Sequence, residues 1–497
     1  MRIGRSLLAG LVNSCWAALV GLLVVPQYLK YLGVEAYGLI GFFAMMQAML
    51  SLLDMGMAPT MNREVARHSA LGTIKEARTL LHTLSILYLG VALLIAISIY
   101  LLAPFLALHW LKSGKISPDV LEHAITLMGI VIACRWPIGL YQGALMGKQL
   151  QITCSKVNIL MVTLGSAGGV MVLAFIAPSI EAFFIWQALV GILQLSILRW
   201  AAWNGIGHEG ITKFQLASLK KIWRFSVGMS GVAISSIVLM QLDKVLLSKL
   251  LTLEDFGIYS LAVLLASGLT IFVMPVFNVA YPYFSSLVAS HQPIKILEAY
   301  KLGTKLLSGV LFAAVFSALF NAHEIIFLWI HDEIIANKLA PIFSILIMGG
   351  AINGVMIMPY ALQLAYGLTK ITLTIIVCLI FLYVPVTYAL VVYFGTIGGA
   401  MGWLILNIVY LFFGSWLTHR YLYPKEVLHW IFYDVIKPAA ISFVVIFIGN
   451  IFINLVENSL TKIFLIFLFF IFSILVNYIF YQINDKLFIK SALNINQ

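Results

Sequence analysis

The sequence predicts an all-α polytopic membrane protein with about 14 transmembrane helices, arranged as two pseudo-repeated six-helix lobes and a C-terminal helical hairpin. Of the 497 residues, 62% are hydrophobic and 10% are charged, whereas a soluble domain carries about a quarter charged residues. Apolar runs long enough to cross a ~30 Å hydrocarbon core follow one another along the chain. Two segments also repeat the same residues at a constant offset of 219 positions, as from Arg5 to Arg224.

The apolar runs define the predicted spans, and the connections between them are short. The spans cover about residues 8–30, 36–58, 81–106, 122–146, 154–177, 180–203, 223–250, 256–288, 303–330, 338–366, 371–394, 397–418, 433–454 and 460–482. The first run follows Arg2 and Arg5, but it is too long for a signal peptide and leads directly into the next span. We therefore predict an uncleaved first helix. Because short turns such as 394–397 blur the boundaries, a count of twelve spans is the alternative.

The internal repeat sets the predicted domain boundaries. Its first copy comprises Arg5, Lys30, Leu32, Glu35 and Gly38, and its second copy comprises Arg224, Lys249, Leu251, Glu254 and Gly257. We predict an N-terminal lobe over 1–203, a cytoplasmic inter-lobe loop over 204–222, a second lobe over 223–420 and an appended helix pair over 433–482. Six helices per lobe give both lobes the same orientation, an arrangement typical of transporters.

The positive charge of the chain is explained by membrane topology, and no nucleic-acid partner is expected. The formal net charge is +11, and the basic residues concentrate on alternate connections. Members of these clusters are Arg63, Arg67, Lys75, Arg78, Arg199, Lys213, Lys220, Lys221, Arg224, Lys295, Lys301 and Lys305. Because cytoplasmic loops carry an excess of Lys and Arg, these connections and both termini are predicted to be cytoplasmic.

Several classes of chemistry lack their characteristic residues in this sequence. The four cysteines, at positions 15, 134, 154 and 378, form no CxxC pair and no Cys/His cluster with metal-ligand spacing, so no metal or other cofactor is expected. The sequence contains no GxxxxGK[ST] phosphate loop, and no connection is long enough for a soluble catalytic domain. The acidic and histidine cluster at 323–333 has no accompanying nucleophile. The protein is therefore predicted not to be an enzyme.

Ionisable residues inside the spans are the first candidates for a binding site, because each costs about 2.5–3.5 kcal/mol on insertion scales. Arg135 lies about 20 Å from either end of its span at ~1.5 Å per residue, too deep to reach the headgroups easily. Its guanidinium suits phosphate oxygens in an internal cavity. A structural pair with Asp54 or Asp243 is the alternative. Lys156 and Lys244 are the other candidate substrate-binding cations.

Asp54 and Asp243 are the candidate carboxylates for coupling to H⁺ or Na⁺. Asp54 is also placed to neutralise Arg135 or to cap a broken helix. Asp243 and Lys244 point about 100° apart on one helix and need not pair with each other, since one can face a cavity while the other reaches the headgroups. Pro137, which closely follows Arg135, is predicted to break or kink its helix.

Neutral polar and aromatic residues inside the spans offer surfaces that hold sugars by hydrogen bonding and ring stacking. Those assigned to the substrate site are Gln142, Asn13 and Tyr281. Further residues of this kind are Gln47, Asn158, Gln187, Gln241, Asn278, Asn353, Gln363, Trp16, Trp136, Tyr141, Tyr360 and Tyr366. Packing between helices is the ordinary role of any one of them. In combination with Arg135, they favour an anionic, sugar-bearing substrate over a lipophilic cation.

Five short stretches carry a resemblance to a known family. They are Leu-Gly-Val-Glu-Ala-Tyr-Gly-Leu at 32–39, Leu-Leu-Asp-Met-Gly at 52–56, Asn-Arg-Glu-Val-Ala-Arg at 62–67, Gln-Leu-Asp-Lys-Val-Leu-Leu-Ser at 241–248 and Glu-Asp-Phe-Gly-Ile-Tyr at 254–259. The chain resembles the O-antigen and polysaccharide flippases of the multidrug/oligosaccharidyl-lipid/polysaccharide exporter superfamily. This resemblance implies a two-lobed, V-shaped helical bundle that works by alternating access without ATP.

The resemblance also implies a substrate and a location. The expected substrate is an undecaprenyl-pyrophosphate-linked oligosaccharide repeat unit, moved from the inner to the outer leaflet of the bacterial inner membrane. The other expected partners are the lipid bilayer, a coupling H⁺ or Na⁺, and polysaccharide-assembly proteins. Arg135 and Lys156 match the cationic cavity of such flippases by position and character. The alternatives are a cation-coupled multidrug antiporter of the same superfamily and a membrane-embedded polysaccharide polymerase or ligase.

Overall fold

The computed structural model describes residues 2–207, 214–456 and 458–494. The middle of the predicted inter-lobe loop, including Lys213, lies outside the described residues, as do the side chains of Arg5 and Arg224. Throughout the described part the chain is helical, and its β pairing consists of one isolated bridge between Lys112 and Thr252. The helices form two compact units, Met1–Ser260 and Leu261–Gln497.

The first unit contains eight complete helices and the start of a ninth. They are α1 (Arg2–Leu50), α2 (Met57–Ala70), α3 (Ile74–Phe105), α4 (Pro118–Arg135), α5 (Ile138–Gly147), α6 (Gln151–Phe175), α7 (Ile180–Ile206), α8 (Leu216–Leu250) and α9 (Leu253–Ala266). A short 3₁₀ turn, Ser51–Asp54, precedes α2, and a π-helical turn, Leu106–Trp110, follows α3. Met61, Leu81, Leu140 and Leu198 belong to a fully buried core that joins α2, α3, α5 and α7.

The second unit contains the remaining helices. They are α10 (Thr270–Ala289), α11 (Pro293–Phe320), α12 (Ala322–Ile330), α13 (Glu333–Val355), α14 (Ile357–Ala365), α15 (Thr369–Val409), α16 (Ser415–Leu422), α17 (Val427–His429), α18 (Lys437–Asn454) and α19 (Ser459–Asn494). The last two pack against each other and against α11. This pair is the predicted C-terminal helical hairpin.

The predicted fold class is confirmed. Eleven helices in the described part are long and apolar enough to cross a membrane. Two of the helical stretches contain glycines with non-helical backbone angles, Gly33 in α1 (φ 79°, ψ 172°) and Gly395 in α15 (φ 58°, ψ −133°). A straight helix of the 49 residues of α1 would extend for about 74 Å, more than twice the ~30 Å hydrocarbon core, so each stretch comprises two spans. Dividing both and including α8 gives the fourteen predicted spans, whereas the lobe boundaries stay a prediction.

Two helix breaks in the first unit position the polar side chains. Pro137 separates α4 from α5, as predicted, because proline lacks the N–H that would continue the helix. This break places Arg135 at the last residue of α4. The second break follows Asp54, where Met55 and Gly56 both adopt left-handed backbone angles before α2 begins. Both breaks fall within the predicted spans 36–58 and 122–146, and exposed backbone groups inside a membrane require a buried or polar environment.

Candidate functional site

A cavity of about 370 Å³ lies within the first unit. Its walls come from α1, α4, α5, α6 and α7. Its polar lining consists of Gln47, Arg135, Ser166, Gln187 and Gln194. The rest of the lining is glycine and aliphatic side chains. Polar and apolar residues thus contribute equally to the lining, and convergent polar groups in a concave site can fix the orientation of a bound small molecule.

Arg135 carries the only formal charge among the residues that line this cavity. Its Nη2 atom donates a hydrogen bond to Oε1 of Gln187 over 2.5 Å, and its guanidinium lies 5.6 Å from the centre of the Phe43 ring. Its Nε atom is buried and has no hydrogen-bond partner. Within the described part of the chain, no carboxylate forms an ion pair with Arg135. The predicted structural pair with Asp54 or Asp243 is therefore not formed.

Gln187 is oriented by its second hydrogen bond. Its Nε2 atom donates to the backbone oxygen of Gly165 over 3.1 Å, which turns Oε1 towards the Arg135 guanidinium. Gln187 is itself buried. Arg135 is thus held by a neutral partner. An amide fixes the direction of the guanidinium without cancelling its charge, so the charge remains available to a ligand.

A second amide cluster adjoins the cavity wall. The Oδ1 atom of Asn158 accepts hydrogen bonds from Nε2 of Gln142 over 3.0 Å and from Nε2 of Gln194 over 3.1 Å. Gln194 lines the cavity, whereas Gln142 lies one hydrogen bond behind it. The predicted binding residue Gln142 is therefore placed to support the wall, and Gln194 is placed to contact a ligand.

Asp54 caps the break between α1 and α2, one of the roles expected for it. Its Oδ2 atom accepts a hydrogen bond from the backbone N–H of Ala58 over 3.4 Å, and its Oδ1 atom accepts one from the Tyr88 hydroxyl. The Tyr88 ring in turn packs on Trp136, 5.9 Å away between ring centres. Asp54 is half-buried, and the contacts that hold it are neutral.

Asp243 and Lys244 form an ion pair, which the sequence reasoning did not expect. Their 100° separation on the helix does not keep them apart, because the long lysine side chain folds back along α8. Its Nζ atom lies 3.1 Å from Oδ1 of Asp243 and also donates to the backbone oxygen of Met240 over 2.8 Å. The Tyr259 hydroxyl donates to Oδ2 of Asp243 over 2.7 Å. The carboxylate is buried and satisfied on both oxygens.

A family model described as polysaccharide biosynthesis protein matches residues 6–288, more than half of the chain. The chain belongs to this family. No curated protein matches it. Its fold is that of the transporters to which the most similar solved structures belong.

Three solved structures illustrate this similarity. An inward-facing multidrug resistance MATE-family transporter of the MOP superfamily aligns with a TM-score of 0.65 at 14% identity, covering 85% of this chain and 95% of the other. The lipid II flippase MurJ, in an inward closed conformation, aligns with a TM-score of 0.64 at 14% identity, covering 96% and 99%. A MOP-superfamily transporter from Pyrococcus furiosus, described as having a binding pocket of reverse polarity, aligns with a TM-score of 0.58 at 14% identity, covering 86% and 96%. The family model confirms the predicted relation to polysaccharide biosynthesis proteins, and the three structures share the predicted fold.

Besides Gln142 and Lys244, three more predicted substrate-binding residues of this polysaccharide biosynthesis family member lie outside the cavity lining. Lys156 is exposed on α6, and Asn13 is half-buried on α1 with an Oδ1 atom that has no hydrogen-bond partner. Tyr281 lies on α10 in the second unit, where it is 38% exposed. Its ring stacks on Phe277 at 5.9 Å, and Phe277 stacks on Tyr360 at 5.8 Å. Tyr281 is therefore the exposed end of a stack of three rings, a surface suited to a sugar ring.

Sequence reasoning did not single out Gln194, Ser166 and Phe43. Gln194 follows Gln187 by seven residues, two helical turns, and this spacing places both on one face of α7. That spacing was a usable signal. Ser166 and Phe43 carried no comparable signal, because serine and phenylalanine are common throughout membrane helices.

Proposed function

We propose that this protein is a flippase that moves undecaprenyl-pyrophosphate-linked oligosaccharide repeat units from the cytoplasmic to the outer leaflet of the bacterial inner membrane. It works by alternating access, with both termini in the cytoplasm, and it is not an enzyme. The observation that carries this proposal is the uncompensated guanidinium of Arg135 in the cavity of the first unit.

A buried cation without a carboxylate is costly in a membrane protein, which favours a ligand that supplies the missing charge. The chemistry of the lining specifies that ligand further. Arg135 offers a fork of donors that matches phosphate oxygens. Gln47 and Gln194 offer amides that exchange hydrogen bonds with sugar hydroxyl or acylamino groups. An anionic group attached to a sugar satisfies both kinds of contact.

The size of the cavity limits what it holds. About 370 Å³ is at the small end of the ~300–1,000 Å³ range of ligand pockets, so a whole oligosaccharide does not fit. In this proposal the cavity binds the charged pyrophosphate and the sugar next to it. The lipid tail stays in the bilayer. The lipid-linked substrate named for MurJ, whose fold this chain shares, supports the assignment of a lipid-linked substrate class.

Movement against a gradient needs a coupling ion, for which we propose H⁺ or Na⁺. Of the two predicted carboxylates, Asp54 is the better candidate. Its contacts are with the Tyr88 hydroxyl and a backbone N–H, whereas Asp243 is already paired with Lys244. A carboxylate paired with a fixed cation has little reason to bind a second one.

The test is a reconstituted flipping assay with lipid-linked oligosaccharide and a membrane-impermeant probe of the outer leaflet. Arg135→Ala removes the charge-assisted contacts, worth about 1.5–3 kcal/mol, and should lower the flipping rate by about 10- to 100-fold. Arg135→Lys keeps the charge without the fork and should retain part of the rate. Lys156→Ala is the matched control, because this cation is exposed and lies outside the cavity lining. Wild-type flipping by Arg135→Ala would refute the proposal.

A multidrug antiporter is the second candidate, because a MATE-family transporter has a similar fold. A drug cation requires a carboxylate or an uncharged aromatic cavity, and the charge that lines this cavity is an arginine. Cells without this protein distinguish the candidates. Normal surface polysaccharide with altered drug tolerance would support the antiporter. Repeat units trapped on the cytoplasmic leaflet would support the flippase, and units that reach the outer leaflet but stay unpolymerised would support a polymerase or ligase.

A further inference from the structure

The two copies of the repeated motif contact each other through their glycines. A Cβ atom on Gly38 would overlap the backbone oxygen of Leu253, and one on Gly257 would overlap the backbone oxygen of Val34. Gly38 and Gly257 occupy equivalent positions in the repeat, and so do Val34 and Leu253. The two contacts are therefore related by a local pseudo-twofold axis between α1 and the start of α9.

A third position agrees with this symmetry. A Cβ atom on Gly41 would overlap Oγ of Ser260, and these two residues are again separated by the repeat offset of 219. Gly38, Gly41 and Gly257 thus let two helices approach until backbone touches backbone, the role of small residues at helix crossings in membranes. We call this contact the glycine crossing. No side chain at Gly38 or Gly257 can rotate to accommodate separation, so the contact is either made or broken.

The segment between α3 and α4, residues 106–117, binds the second copy of the motif. The backbone oxygen of Lys112 accepts a hydrogen bond from the N–H of Leu253 over 2.8 Å. The Lys112 ammonium donates to the backbone oxygen of Leu250 over 2.8 Å, and Nε1 of Trp110 donates to Oγ of Ser248 over 3.1 Å. These contacts join the segment to the end of α8 and the start of α9.

The same segment binds the first copy through Glu35. One carboxylate oxygen accepts hydrogen bonds from the Ser113 hydroxyl over 2.8 Å and the N–H of Gly114 over 2.6 Å, and the other accepts from the N–H of Lys115 over 3.0 Å. Glu35 is buried in the turn between the first two spans. Burial raises the pKa of the carboxyl, but the hydrogen bonds from Ser113, Lys115 and Gly114 outweigh it and lower the pKa below its ordinary value. Glu35 therefore binds the segment as a carboxylate.

We propose that the glycine crossing is the outer gate of this transporter and that residues 106–117 form a latch that holds it shut. Positive-inside topology predicts the segment on the outer side, and it is hydrogen-bonded to both copies of the motif. Alternating access requires one side to close while the other opens, so outward opening separates α1 from α9 at this crossing. The segment cannot follow both helices, so its hydrogen bonds with one copy of the motif must then break. This inference rests on the proposed alternating-access transport, but not on which substrate is carried.

The first experiment locks the gate. The Lys115 ammonium lies 3.6 Å from Oε2 of Glu254, so Lys115→Cys and Glu254→Cys are combined in a variant whose four native cysteines are replaced by serine. A short reducible bismaleimide-type cross-linker should abolish flipping in liposomes, and cleavage of the linker should restore it. Each single cysteine variant, treated identically, is the control. Full flipping at complete cross-linking would overturn the proposal.

The second experiment opens the gate and uses Ser260→Cys as a reporter in the same background. The rate at which an impermeant maleimide labels this reporter from the outer side measures separation at Gly41. Glu35→Ala should raise this rate by about 10-fold or more, because it removes hydrogen bonds to a carboxylate. Glu254→Ala, the repeat-equivalent change at a more exposed carboxylate, should raise it by less than about 3-fold. Equal labelling rates in Glu35→Ala and the unaltered reporter would overturn the latch.

A glycine comparison separates the gate from general helix stability. Gly38→Ala places a Cβ against the Leu253 backbone, whereas Gly21→Ala, in the preceding span of α1, meets nothing within 4 Å. Gly38→Ala should raise the labelling rate of the Ser260→Cys reporter, and Gly21→Ala should leave it unchanged. If Gly38→Ala does not fold, the cross-linking result decides the proposal.

Discussion

Arg135 and Asp243 both carry a charge inside membrane-spanning helices of the first unit, yet their surroundings differ. Asp243 receives hydrogen bonds from Lys244 and Tyr259, and its charge is cancelled by an adjacent cation. Arg135 is held by the neutral amide of Gln187 and the face of Phe43, and its Nε atom has no partner. The charge of Asp243 is neutralised within the folded chain, whereas the charge of Arg135 is oriented but not neutralised.

The difference shows how to separate structural from functional charges in a membrane protein. Depth alone does not separate them, because both residues lie inside spans and both cost free energy to insert. The nature of the partner does. A charge that is neutralised by an ion pair within the protein has a structural role. A charge that only neutral groups hold in place can still attract a ligand of opposite charge.

The most direct test of this difference is to give Arg135 a carboxylate partner from within the protein, as Asp243 already has a lysine partner. Gln187→Glu places one where Oε1 already lies 2.5 Å from Nη2. The new ion pair should compete with an anionic substrate and lower flipping by about 10- to 100-fold, while the loss of the hydrogen bond to the Gly165 oxygen offsets its gain in stability. Flipping and melting temperature are measured on the same reconstituted preparation. Gln142→Glu, one hydrogen bond behind the wall, is the matched control. Unchanged flipping in Gln187→Glu would mean that Arg135 does not meet the substrate.

The converse change removes the cancelled charge. Asp243→Asn leaves Lys244 without its counter-ion but keeps a group that accepts from Tyr259. Because the Lys244 side chain is 22% exposed and can turn towards a wetter region, we expect a loss of about 1–3 kcal/mol in stability. The flipping rate per folded molecule should stay within about 2-fold of wild type. A rate loss comparable to that of Arg135→Ala would place Asp243 in the transport site after all.

Asp54 lies between the two cases and has the smallest expected effect on binding. Asp54→Asn keeps an acceptor oxygen for the Tyr88 hydroxyl and loses only the long, 3.4 Å hydrogen bond from the Ala58 N–H. Downhill flipping should therefore continue at close to the wild-type rate, while stimulation by a proton or sodium gradient should be lost. The measurement is flipping in liposomes with and without each imposed gradient. Undiminished stimulation would leave Asp54 with the structural role of capping a helix break.

The fold class could be predicted from the sequence, because the apolar runs indicate the spans, the basic loops indicate the topology and the repeat indicates two related lobes. It was also sufficient to select Arg135, since its distance from both ends of the span follows from helical rise alone. Its partner was not predictable, because Gln187 belongs to a helix more than fifty residues away in the chain. The Asp243–Lys244 pair was missed for a different reason. Helical angles describe where a side chain starts and do not limit where a flexible lysine ends.

The repeat likewise shows that sequence positions do not predict tertiary contacts. An offset of 219 positions identifies Gly38 and Gly257 as equivalents, but equivalence along the chain does not imply contact in space. That the two glycines face each other depends on how α1 and α9 cross, which is a tertiary property. Glu35 is similar, because its partners Ser113 and Gly114 lie 78 and 79 residues further along the chain, in the segment between α3 and α4.

The glycine crossing has the form of an isologous interface, in which residue i contacts j and residue j contacts i, yet one polypeptide forms both sides. In a dimer of identical chains, every substitution at such an interface appears twice. In this chain each side changes alone, so the two copies are free to diverge. Glu35 is buried and bound by three donors, while Glu254 remains more exposed near Lys115. Because both copies of the motif belong to one polypeptide, the latch of residues 106–117 can hold the two copies differently, even though the glycine crossing itself is symmetric.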